Sequence, residues 1–146
     1  MWNKLIRTDQ SFTQLALRLT LGIVMLPHGL QKTLGWFGGH GFSATMQFFT
    51  EMMHIPALFA LLAIAAEFLG ALGLIVGLLT RVAAFGIFSV MVVAVLTAHL
   101  NVGFFMNWSG QQSGEGFEYH LLAIGIAIAL MLRGGGKASM DGQLSK

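Results

Sequence analysis

Residues 57–79 read ALFALLAIAAEFLGALGLIVGLL, a continuous apolar run in which Glu67 is the sole ionisable group. A helix needs ~20 apolar residues to cross a hydrocarbon slab about 30 Å thick, so the run is predicted to span a membrane. Strands of a membrane barrel alternate polar and apolar residues, which this stretch does not do. A helix is then the structure that satisfies its backbone within lipid. Working outward, residues 82–100 form a second such run, with His99 as its one titratable group. Residues 15–34 are long enough to span but carry Arg18, Pro27, His28 and Lys32. The last run is clean over 121–132 and reaches full length only with Phe117, Glu118, Tyr119 and His120 before it and glycines 134–136 after it. The expected fold is all-α: one integral-membrane domain over 1–146, a four-helix transmembrane bundle with spans at about 15–34, 57–79, 82–100 and 117–134.

Composition agrees with that reading. The 146 residues are 55% hydrophobic and 10% charged, against about 25% charged in an ordinary soluble domain, so a water-facing surface cannot be covered. Cysteine is absent, which excludes disulfides, thiolate metal sites and dithiol redox chemistry. Any redox role must use an outside electron carrier. The polar lead over 3–14 and the long first run do not fit a cleaved signal peptide, and the segment is expected to stay in the mature protein.

Lys and Arg in short loops set orientation. Lys4 and Arg7 precede span one, Arg81 sits between spans two and three, and Arg133, Lys137 and Lys146 follow span four. Both termini are therefore expected on the cytoplasmic side of a bacterial inner membrane. This placement accounts for the net charge of +2, and no nucleic-acid partner is inferred. Between spans one and two, Phe42, Met46, Phe49 and Met53 recur at helical spacing after Ser43, a candidate N-cap. They predict a short amphipathic interfacial helix, or alternatively a loop packed over the bundle mouth. Trp36 and Trp108 read as interface anchors, and Met25, Met46, Met52, Met53 and Met106 as adaptable filling at an apolar mouth. Ala66 with Gly70, and Gly73 with Gly77, are spaced for close helix approach, within the bundle or across a homodimer.

An ionisable residue inside the membrane is a functional hypothesis by default, because exposing it to lipid costs at least ~2.5–3.5 kcal/mol. At a rise of ~1.5 Å per residue, His28 lies about 9 Å and Glu67 about 16 Å from the outer ends of their helices. His99, Glu118 and His120 stand in the outer part of spans three and four. Each helix thus contributes a polar group at middle to outer depth, and a pocket open to the non-cytoplasmic face is expected among His28, Glu67, His99 and His120. Lys32, one turn from His28, would pair with Glu118 or attract an anionic or carbonyl group at the mouth. A carboxyl at this depth needs a cation or imidazole to stay charged, which makes Glu67 a candidate proton donor or acceptor. The catalytic candidates are Glu67 and His28; the ligand-binding set is His28, Lys32, Glu67, His99, Glu118 and His120. The alternative is that these groups hydrogen-bond to one another as bundle glue. Arg18 is expected to anchor at the inner boundary by snorkelling. Haem held by His28 and His99, with Gly22, Gly29 and Ala98 leaving room for the ring, is the weaker cofactor reading, and no metal site is assigned.

The segments RLTLG (18–22), HGLQK (28–32), AAEFLG (65–70), GLLTR (77–81), NW (107–108), GFEYH (116–120), GGG (134–136) and SMD (139–141) together resemble the DoxX family of small bacterial membrane proteins. The resemblance implies a four-helix inner-membrane protein. It also implies redox or detoxification roles, since the family is named for similarity to a subunit of a terminal quinol oxidase, or thiosulfate:quinone oxidoreductase, of sulfur-oxidising archaea. The matching positions are Arg18, His28, Lys32, Glu67, Arg81 and Glu118. A redox-associated subunit binding a quinone or similar small lipophile, with a soluble or membrane redox partner, is the leading functional expectation. A non-catalytic scaffold or sensor and a small transporter are the alternatives.

Overall fold

A computed structural model describes residues 2–145, and the order of its helices follows the apolar runs. A short α1 (Trp2–Ile6) precedes α2 (Phe12–Thr33), capped by the Ser11 hydroxyl, which accepts from the Gln14 amide. Then come α3 (Gly41–Gln47) with a π-helical turn Phe48–Met52, α4 (Ala57–Val76), α5 (Thr80–Ala94) with a π-helical turn Val95–His99, α6 (Glu118–Arg133) and a short α7 (Met140–Leu144). Among the described residues there is no strand, in keeping with the all-α expectation. α2 packs on α4, α4 on α5, α5 on α6, and α6 returns to α2. Ala57–Val76 and Thr80–His99, 20 residues each, are long and apolar enough to cross a membrane. α6 has 16 residues, about 24 Å at ~1.5 Å per residue, and α2 is a continuous 22-residue helix that carries Arg18, His28 and Lys32 within its apolar run.

The shared interior is apolar at mid-height, where Leu21, Met25, Ala71, Leu74, Ala84, Ile87, Met91, Ala123, Ala127 and Leu130 are buried together. Helices without large apolar contrast to their surroundings associate by close backbone approach, and glycines supply it. A Cβ on Gly29 would come within 2.6 Å of the Phe68 Cα, and one on Gly22 within 3.0 Å of the Ala71 carbonyl oxygen. The space beside Gly22 and Gly29 is therefore filled by α4. Ala66, Gly70 and Gly73 face Gly86, Ala83 and Ile87 of α5, so the small-residue spacing is used inside the chain.

Several expectations are corrected. The helix after the first connection begins at Gly41 and is preceded by His40, with no side-chain cap from Ser43; the left-handed φ of +77° at Gly41 sets its start. Met25 is core, 1% exposed, whereas Met52 is 71% exposed. Glycines 134–136 do not extend α6. Gly134 (φ +82°) ends it, and the chain folds back across the end of the molecule that holds both termini.

Arg18 is not a snorkelling anchor. It is 2% exposed, and all five of its guanidinium N–H groups are engaged. Nε donates to the Gly135 carbonyl (2.9 Å), Nη1 to those of Leu74 (2.9 Å) and Ile75 (2.5 Å), and Nη2 to those of Lys137 (3.3 Å) and Ala138 (2.8 Å). Leu74 and Ile75 belong to the last turn of α4, where the Leu74 carbonyl also accepts from the Gly77 amide (3.2 Å) and the carbonyls carry the negative end of the dipole. The folded-back tail brings the other three. Asp141, 1% exposed, completes the closure: its carboxylate accepts from the Leu79 amide (2.7 Å) and the Thr80 amide (2.8 Å) at the start of α5. Arg81 does for α6 what Arg18 does for α4, donating to the Met131 and Leu132 carbonyls and to that of Arg7.

Arg18→Ala is expected to lower unfolding stability in detergent by roughly 3–5 kcal/mol, since it strands buried acceptors. Asp141→Ala should cost about 0.5–2 kcal/mol as a lost helix cap. Thermal unfolding of the purified variants checks both; an Arg18→Ala melting curve superimposable on the wild type would contradict the assignment.

Candidate functional site

The opposite end of the molecule holds the two long connections and most of the titratable groups. Lys32, in the last turn of α2, reaches Glu67 in the middle of α4, with Nζ 2.6 Å from Oε2. The carboxylate is 4% exposed as a residue and the lysine partly buried. Removing one member of such a pair leaves an uncompensated buried charge, so the two are mutually dependent. Lys32 thus pairs with Glu67 and not with Glu118. Gly29, one turn before Thr33, makes the meeting geometrically available, because it lets α2 lie directly on the Glu67–Phe68 backbone.

Four rings follow one another beside this pair. His28, one turn below Lys32, has its centroid 6.4 Å from that of Tyr119; Tyr119 is 5.4 Å from His120, and His120 is 4.2 Å from His99. Helices α2 and α6 and the π turn after α5 supply them. His99 is fixed through Nδ1 on the Glu115 carbonyl at 2.8 Å. His120 is 7% exposed, and its Nδ1 has no hydrogen-bond partner among the described residues. The Tyr119 hydroxyl lies 3.5 Å from the Met25 thioether, a weak acceptor. His28 remains exposed on the surface of the chain.

Of the sequence-predicted residues, then, His28, Lys32, Glu67, His99 and His120 are gathered at one end, in two adjoining groups. Glu118 is not with them. Its Oε1 accepts from the Met106 amide (2.9 Å) and the Trp108 indole (3.4 Å), which folds the second connection over the start of α6. Its charge also suits the N-terminal turn of that helix. Tyr119 is the site residue that sequence reasoning overlooked, although its position between Glu118 and His120 was the available signal.

A cavity beside Lys32 is lined by His40 but not by His28, His99 or His120. It has a volume of about 440 Å³ and is bounded by Gln31, Lys32, residues 38–40, Ala44, Thr45, Phe48 and Phe49. Lys32 alone of the expected ligand-binding set lines it. Among the described residues no three His, Asp or Glu side chains converge as a metal site would require.

No curated protein and no solved structure matches the chain. The DoxX family model matches residues 13–100, a segment that contains Arg18, the Lys32–Glu67 pair and Arg81. With well over half of its length matched, the chain belongs to the DoxX family.

Proposed function

We propose that this small membrane protein crosses a bacterial inner membrane four times, with both termini in the cytoplasm, and serves as a redox-associated subunit that binds a quinone or a similar small lipophile at the polar end. The supporting observation is the buried Lys32–Glu67 pair with four titratable or hydrogen-bonding rings beside it. Exposing such groups to lipid is costly, and the partly exposed Lys32 keeps two donors available to a ligand beyond its bond to Glu67. Support for four spans comes from the packing of α2 and α6 with the two membrane-capable helices, α2 against α4 and α6 against α5, and from a shared end for both termini.

In this reading Lys32 donates to a carbonyl oxygen and stabilises negative charge that develops there. Glu67, held by Lys32, exchanges the proton, and His28 offers a second donor at the surface of α2. The electrons come from a flavoprotein-type partner, because the chain holds no carrier and no cysteine. Glu118, given its loop-ordering contacts, supports the site by shaping the second connection. His99 and His120 form its outer edge.

Two measurements test the proposal. Because the chain lacks cysteine, a Ser113→Cys protein should react with a membrane-impermeant maleimide in intact spheroplasts, and a Ser145→Cys protein only after permeabilisation; the reverse pattern would sink the topology. Wild-type protein extracted from membranes should carry quinone detectable by mass spectrometry. Glu67→Gln and His28→Ala should each retain about tenfold less, equivalent to ~1.4 kcal/mol. Equal retention by all three proteins would reduce the cluster to packing.

A further inference from the structure

The cavity at the end of α2 differs in character from the ring cluster behind it. Its floor is Lys32, whose ammonium has three donors. One is spent on Glu67 Oε2, and the other two have no acceptor among the described residues. One wall is the connection over residues 38–40, pressed against α2 so closely that a Cβ on Gly39 would fall 2.3 Å from the Gln31 carbonyl oxygen. Gln31 pins this connection by donating from Nε2 to the Phe37 carbonyl at 3.1 Å. The other wall is mainly apolar and comes from Ala44 and Thr45 on α3 and from Phe48 and Phe49 on the π turn, with His40 on the side of the connection. Short π-helical turns recur at functional sites because they shift side chains out of α-helical register.

At about 440 Å³ the space falls within the size range of small-molecule sites, which are mostly apolar with a few placed polar groups. The charge state of its floor selects the ligand. The Lys32 cation is already balanced by Glu67 at 2.6 Å, so a full anion would have to compete with that carboxylate. A neutral carbonyl oxygen takes the spare N–H groups and leaves the pair intact.

Resting on the quinone-type reading above, we propose that the body of the ligand lies in this cleft between α2 and α3. A carbonyl oxygen of a neutral, ring-bearing lipophile accepts from Lys32 Nζ, and its apolar body lies along Phe48 and Phe49. The contact places the ligand one side chain away from Glu67, through the lysine.

The test uses full-length protein in detergent and decyl-ubiquinone as the probe, with binding followed by calorimetry. Ala44 is exposed and lines the cleft, so Ala44→Phe fills the space while leaving Lys32, Glu67 and the ring cluster in the sequence. The expected result is saturable binding by the wild type and at least tenfold weaker binding by Ala44→Phe at an unchanged melting temperature. Wild-type affinity in Ala44→Phe would overturn the cleft assignment and leave the functional reading standing. Absence of saturable binding in the wild type would overturn both. Stronger binding of laurate than of decyl-ubiquinone would overturn the choice of a neutral carbonyl ligand.

Discussion

A guanidinium taken out of water must bring its hydrogen-bond acceptors with it, and Arg18 finds five backbone carbonyls at the point where three parts of the chain meet. It stands on α2, donates to carbonyls in the last turn of α4, and can be satisfied only if residues 135–138 fold back beneath the helices. The glycines there permit it: a Cβ on Gly77 would lie 2.5 Å from that of Ser139. Asp141 then reaches the first amides of α5. One buried cation thus fixes the relative height of α2 and α4 and the path of the tail, and through the tail it fixes the start of α5.

With that end closed by backbone acceptors, ionisable side chains at the other end have a different environment. There the Lys32 charge meets a single carboxylate, not a full shell of carbonyls, and part of its donor capacity is left over. The His120 Nδ1 is likewise unmatched. Unmatched buried atoms occur at both ends, at Gln14 and Thr80 as well as at His120, so what sets the second end apart is a cation with spare donors beside open space. The cleft bounded by Phe48 and Phe49 opens there, and the Lys32–Glu67 pair connects it to the rings.

Much of this arrangement was legible from residues alone. Continuous apolar runs without alternation required helices, and their boundaries fall within a few residues of those expected: 57–79 became Ala57–Val76, and 15–34 became Phe12–Thr33. Counting helical rise brought His28, Glu67, His99 and His120 to a common end. Which neighbour each would face was not accessible to that count, because rise gives depth and not azimuth. Lys32 was as free, by depth, to meet Glu118 as Glu67. Tyr119 was not assigned to the site because its one signal was its place between Glu118 and His120, and an aromatic residue on an apolar helix otherwise reads as packing.

The sequence by itself determined the secondary structure, the depth of each titratable group and the membership of the family, since these depend on local periodicity, hydropathy and motif. Only the tertiary structure decided that Arg18 and Arg81 serve helix ends, that Glu118 orders a loop, and that Lys32 lines a cavity together with α3 and the π turn after it. These outcomes depend on acceptors contributed by residues distant in the chain: the partners of Arg18 lie 56 to 120 positions away. A buried polar group is assigned its role by whichever backbone or side-chain atom closes its hydrogen bonds, and that atom is chosen by packing.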